Sequence, residues 1–142
     1  MARDRLHRTT LALLVALGLA GCARGGPPAI HAGTACEGCG MSITDLGFAC
    51  ERKAARGWLR YDAIECLLQD ADAGAGRAYL ADYDTHALHA ADSMWVVRGS
   101  FPSPMGGGYA AFLTRRTADE IAARTEGRVD RLHGFATAGS AR

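Results

Sequence analysis

Two consecutive strand–strand–helix–strand patterns predict an α+β protein built from two similar small ββαβ units packed together. Three observations carry this. Short strand-like runs come in pairs before each helical stretch. Each helical stretch opens with a capping-box pattern and stops at a glycine. Each unit is roughly 40 residues long, near the lower limit for independent folding, so the two must bury apolar area against each other.

The chain opens with a targeting segment, residues 1–21. Arg3, Arg5 and Arg8 form a positive n-region, and "LALLVALGLA" (11–20) is an apolar h-region. A spanning helix needs roughly 20 apolar residues, so this run is too short to be one. It ends in "LAGC" (19–22), which resembles the bacterial lipobox, with Cys22 as the lipidated first residue of the mature chain. The alternative is an ordinary signal peptide with a cysteine nearby. Residues 22–35, including "ARGGPPAIHAG", read as the lipidated cysteine and a flexible tether.

The first unit covers 36–84. "GFACERK" (47–53) alternates like a half-buried strand, and "GWLRY" (57–61) completes a hairpin with it. "DAIECLLQDADAG" (62–74) reads as a helix, with Asp62 and Glu65 as its capping box and Gly74 as its stop. Ile64, Leu67, Leu68 and Ala71 share one face of it. "RAYLADY" (77–83) is the closing strand.

The second unit covers 85–134 and repeats this order. "SMWVVRG" (93–99) and "GGYAAFLT" (107–114) are strands across a Pro/Gly-rich turn. "TADEIAARTEG" (117–127) is a helix capped by Thr117 and Glu120 and stopped by Gly127, and "RVDRLHG" (128–134) is a short strand. Residues 135–142 show no pattern and are expected to be a loose tail.

Composition narrows the function. With 142 residues, 49% of them hydrophobic, and a net charge of +1, this is no acidic disordered chain and carries no basic field for nucleic acid. Removing residues 1–21 takes away three arginines and one aspartate and leaves about −1. Charge does not recruit such a chain to lipid; acyl chains on Cys22 would.

The chemistry concentrates in two segments outside the strand–helix rhythm. "CEGCGM" (36–41) holds Cys36, Cys39 and Met41, and "SPMGGGY" (103–109) holds Met105. Glycines let the first bend so that both thiols face one point. If Cys39 to Met41 is extended, those two side chains share a face. Thiolate with thioether is a soft set that selects Cu(I). Pro104 fixes the backbone before Met105, and the glycines after it remove side-chain bulk, which leaves the methionine exposed unless something covers it. Met94, inside "MWVV", reads as core.

Histidines are weaker candidates. His86 and His89 share a face if "DTHALH" is helical, and His31 on the tether can swing toward the sulfurs. Cys50, on a buried strand face, and Cys66, inside a helix, read as packing residues or as one structural bridge.

Taken together, "LAGC", "CEGCGM", "YDAIECL", "ADYDT" and "SPMGGGYAAF" resemble, in this order, the NosL family of nitrous oxide reductase accessory lipoproteins. The likeness spans Cys22 to about Gly134. It implies an α+β protein of two ββαβ units, in agreement with the repeat. It also implies a Cu(I) metallochaperone, not an enzyme. Such a protein is lipid-anchored on the periplasmic side of a membrane and delivers copper for the copper–sulfide centre of nitrous oxide reductase. The implied partners are that reductase and the ABC-transporter assembly of the same system. By position, Cys39, Met41 and Met105 are the ligand candidates, with Cys36 possible.

Three rivals remain open on sequence. One is a periplasmic thiol–disulfide oxidoreductase using the CxxC, although "GMSITDLG" starts a helix poorly and a redox CxxC normally opens one. Another is a structural lipoprotein stapled by Cys36–Cys39 and Cys50–Cys66. The last is a zinc module, for which too few ligands stand at suitable spacing.

Overall fold

The computed structural model describes residues 26–70, 72 and 76–139. The expected signal segment and Cys22 lie outside the described residues. Among those described, no helix is long and apolar enough to cross a membrane.

Strand β1 (Cys50–Ala54) pairs antiparallel with β2 (Gly57–Tyr61), Cys50 facing Tyr61 and Ala54 facing Gly57. Helix α1 (Ile64–Gln69) follows. Strand β3 (Ala78–Ala81) then returns antiparallel on the other side of β1. Strand β4 (Leu88–Ala90) adds to β3, giving a four-stranded sheet in the order β2-β1-β3-β4.

The second unit repeats the plan. Strand β5 (Trp95–Arg98) is central, between β6 (Tyr109–Phe112) and β7 (Arg128–Asp130), and helix α2 (Arg115–Thr125) connects the last two. In each unit the first strand is thus flanked by the second and third. Helix α3 (Leu132–Gly139) ends the described chain.

The two units share their core. One cluster joins Ile43, Cys50, Tyr61, Ile64, Leu67 and Leu80 of the first with Met94, Val96 and Ala111 of the second. In the other cluster, Phe48 crosses over to pack with Val97, Phe112, Ala118 and Ala122. Helix α1 packs against β1 and β2 of its own unit and also against β6. The Tyr83 N–H donates to the Ala111 carbonyl (2.9 Å), and the Leu113 N–H donates to the Asp82 carboxylate (3.2 Å), tying the sheets edge to edge.

Several expectations are corrected. Helix α1 is shorter than 62–74, and its cap residue is Ala63, with no side-chain cap bond from Asp62. Gly74 and Ala71 lie outside the described residues. The α1 end is held instead by Asp70, whose carboxylate accepts from Arg52 (2.7 Å), from the Tyr61 hydroxyl and from the Asp72 N–H (2.9 Å). The Tyr61 and Arg52 bonds, with that of Asp72, hold its carboxyl down at about 2.

Helix α2 starts earlier than expected. Thr114 is its cap, accepting from the Thr117 N–H, and Glu126 in the left-handed region with Gly127 closes it. The segment containing His86 and His89 is no helix. His86 has φ 62 and His89 lies in β4, so the first sheet takes a strand from the span assigned to the second unit.

The tether also ends sooner. Ile30 is buried, and Gly33 and Ile43, then Ile43 and Thr34, pair N–H to carbonyl at 2.8 Å. At the other end, the tail expected to be loose enters α3, where Phe135 is buried edge-on to Tyr109 at 5.3 Å. An isolated apolar residue in a short segment has no period to reveal it.

Glu51 is a buried carboxylate on the face of β1 opposite Cys50. Burial pushes its carboxyl up to about 6 against the pull of Arg60, whose Nε is 3.5 Å away. The folded protein therefore holds this proton more tightly than the unfolded chain does. Its stabilising effect is complete below the ordinary value of 4.5 and is lost as pH rises through about 6. Glu51→Gln is expected to raise Tm at about pH 7.5 and to flatten the pH dependence of Tm across this window. Equal Tm shifts at acid and neutral pH count against that assignment.

Candidate metal centre

"CEGCGM" folds as a tight hairpin. Ala35 bridges Ser42, the Cys36 N–H donates to the Met41 carbonyl (2.8 Å), and the Gly40 N–H donates to the Cys36 carbonyl (2.9 Å). Gly40 sits at φ 76, a left-handed value that glycine adopts without cost. Cys39 is in the turn, so it and Met41 do not share one extended face as expected. The hairpin turns Cys36 inward, leaves Cys39 partly open to solvent, and exposes Met41.

Two contacts fix the turn. The Glu37 N–H donates to the Arg60 carbonyl of β2 (2.8 Å). Gly38 lies directly on α1, where a Cβ in its place would meet Cys66 Cβ at 3.0 Å. This close approach brings a third sulfur into play. The sulfurs of Cys36, Cys39 and Cys66 and a carboxylate oxygen of Asp62 all lie within 4.8 Å of one another.

The sequence reads Cys66 as a packing residue or half of one structural bridge. It is buried in the core, and its sulfur also faces the CxxC hairpin. Asp62, expected to cap the helix, faces the hairpin instead. Asp62 Oδ2 accepts from the Cys39 thiol (3.7 Å), and its other oxygen is buried with no hydrogen-bond partner. The signal for both was "YDAIECL", which places Asp62 and Cys66 one helical turn apart on the same face. Reading Asp62 with Glu65 as a capping box obscured it. Cys50 lies deeper, its thiol donating to the Ala63 carbonyl (3.6 Å).

The second motif docks on the same helix. Glu65 Oε1 accepts from Ser103 Oγ (2.6 Å) and from the Gly107 N–H (2.9 Å), and Ser103 Oγ in turn accepts from the Gly108 N–H (2.9 Å). A Cβ on Gly107 would meet the Glu65 carboxyl at 2.9 Å, so the loop lies flat on that side chain. Gly106 and Gly108 adopt φ 71 and 72 on either side. Met105 stands at the tip, 40% exposed, and Met41 is 48% exposed. The two loops thus rest on adjacent residues of α1, Cys66 under one and Glu65 under the other.

Electrostatics favour the protonated thiol at Cys39, Cys66 and Cys50. For Cys39, the hydrogen bond from the Met41 backbone pulls its pKa down. Burial, Cys36 and the Asp62 charge outweigh that and raise it. Burial, then Asp62 and Cys36, push the Cys66 thiol far up, and burial does the same for Cys50. A redox CxxC needs a lowered thiol at a helix N-terminus. Here the motif is a hairpin turn with a raised thiol, which gives the oxidoreductase reading no support. All four described cysteines are free thiols.

His31, His86 and His89 are not among the clustered groups. His86 packs instead against the Asp45–Gly47 turn and lines a separate cavity with Ile30, Leu46 and Leu88.

No family model matches the chain. The copper-binding lipoprotein NosL of Stutzerimonas stutzeri is 30% identical to it over 91% of this chain and 82% of that protein. The chain belongs to the NosL family. The crystal structure of the copper chaperone NosL from Shewanella denitrificans shares its fold, with a TM-score of 0.65 at 20% identity over 75% of this chain and 92% of that one. In this NosL-family chain, the soft-sulfur cluster joins the CxxC hairpin to Cys66 on a helix that also packs against β6 of the second unit.

Glu65 makes the grip on the Met105 loop testable. Glu65→Ala leaves the Ser103 and Gly107 donors without their acceptor, a loss of about 1–3 kcal/mol. Amide hydrogen exchange should speed up at Gly107 and Gly108 while Gly40 stays protected. Unchanged exchange in the loop refutes this account of its anchoring.

Proposed function

We propose that this protein is a Cu(I) carrier, lipid-anchored through Cys22 on the periplasmic side of a membrane. In this reading it delivers copper for the copper–sulfide centre of nitrous oxide reductase, working with that enzyme's ABC-transporter assembly, and catalyses no reaction itself. Cys39, Cys36, Met41 and Met105 are the ligands.

The observation that carries the reading is the placement of soft donors. A partly exposed Cys39 adjoins the buried Cys36, and two exposed thioethers stand on loops seated on the same helix. A thioether is a neutral donor, so it holds Cu(I) more weakly than a charged thiolate and releases it more readily. A carrier needs that gradation, because the incoming ligand of an acceptor must attach before the last donor leaves. The family relatives add support, one being named copper-binding and the other a copper chaperone.

Competition with a cuprous chelator tests the metal. Cys39→Ser is expected to weaken Cu(I) binding at least tenfold, about 1.4 kcal/mol. An unchanged affinity removes the thiol from the site. Met41→Ile with Met105→Ile should slow copper transfer to an acceptor chelator. For the anchor, Cys22→Ser in the full chain should move the protein from the membrane to the soluble fraction; continued membrane association would contradict lipidation there. The client is tested by copper content. Nitrous oxide reductase matured without this protein should lack copper in its sulfide-bridged centre, and a fully loaded centre would exclude it as the client.

A further inference from the structure

We infer that copper has two overlapping seats in this protein, an inner one formed by Cys36, Cys39 and Cys66 and an outer one where Cys39 is joined by the methionines. The inference rests on the Cu(I) carrier reading and adds Cys66, which the CxxC pattern does not include.

The first argument is one of number. Three clustered thiols and two exposed thioethers are more sulfur than one cuprous ion takes. The second is geometry. Metal–thiolate bonds are about 2.3 Å, so three sulfurs around one small ion stand about 4 Å apart. The Cys36, Cys39 and Cys66 sulfurs already lie within 4.8 Å of each other, which leaves an adjustment of under about an ångström.

The third argument is burial. Cys36 is 2% and Cys66 3% exposed, whereas Cys39 is partly open, so Cys39 alone of the three can meet an ion arriving from solvent and pass it inward. The fourth is Asp62. It is 2% exposed, it is directed at the same thiols, and one of its oxygens has no hydrogen-bond partner. A buried polar atom left without a partner marks a place that something further completes.

Ligand chemistry then ranks the seats. Thiolate is a stronger donor than thioether toward a soft monovalent ion, and the hard carboxylate is not one of its ligands. The inner seat is the resting position. The outer seat, where thioether replaces thiolate, is where an acceptor takes the ion. Cys39 belongs to both, so the ion moves between them without leaving the protein. No electron is transferred; each thiol that binds releases its proton to solvent.

The test uses the reduced full chain in detergent, produced with selenomethionine and loaded with one equivalent of Cu(I). X-ray absorption should show sulfur and no selenium around copper, because the resting ion is held by cysteines. Cys66→Ala should weaken Cu(I) at least tenfold and bring selenium into the copper shell as the ion retreats to the methionines. Selenium around copper in the unsubstituted chain would overturn the inner seat while leaving the carrier reading standing. A protein that takes up no Cu(I) would overturn the carrier reading and the inference with it. If Cys66→Ala does not fold, the selenium measurement on the unsubstituted chain still decides.

Discussion

The buried carboxylate of Glu65 holds the site together. It lies on α1, in the first unit, yet its partners are Ser103 and Gly107 in the second. Because one oxygen takes both donors, the loop has little freedom to lift away without stranding them in a low-dielectric interior. This grip sets Met105 over the helix that also carries Cys66. Gly38 completes the arrangement by letting the CxxC hairpin lie directly on Cys66. Two motifs far apart in the sequence both rest on one short helix.

The repeat is symmetric in topology and asymmetric in chemistry. In the second unit, α2 follows ordinary helix rules. It has a threonine cap, exposed Arg115–Asp119 and Arg116–Glu120 pairs one turn apart, and alanines on the packed face. In the first unit, α1 is short, lacks a side-chain cap and buries two acidic residues in or beside its first turn. Local consistency is sacrificed where a polar group is directed at something other than its own helix. The unit whose helix departs from those rules is the one that holds the thiols.

Glu51 lies on the opposite face of β1 from Cys50 and forms an ion pair with Arg60 on the neighbouring strand. The Arg60 carbonyl in turn receives the hairpin at Glu37. The sheet beneath the thiols therefore carries a buried charge of its own, stabilised by the strand that anchors the sulfur turn.

The amino-acid sequence alone determined the two-unit plan, strand β2 residue for residue, the buried settings of Met94 and Cys50, and the two sulfur segments. Alternation, helical period and glycine stops are local signals, and these features are local. It misread Asp62 and Glu65, the ordered ends at Ile30 and Phe135, and the strand holding His89, and it did not show that the buried Cys66 faces the CxxC thiols. A D-x-x-E pattern has the same spacing whether its carboxylates cap a helix or reach across to another unit, and a lone buried apolar residue leaves no period. Only the tertiary structure decided which donors those side chains would meet, because that depends on the packing of one unit against the other and on the closeness two glycines allow.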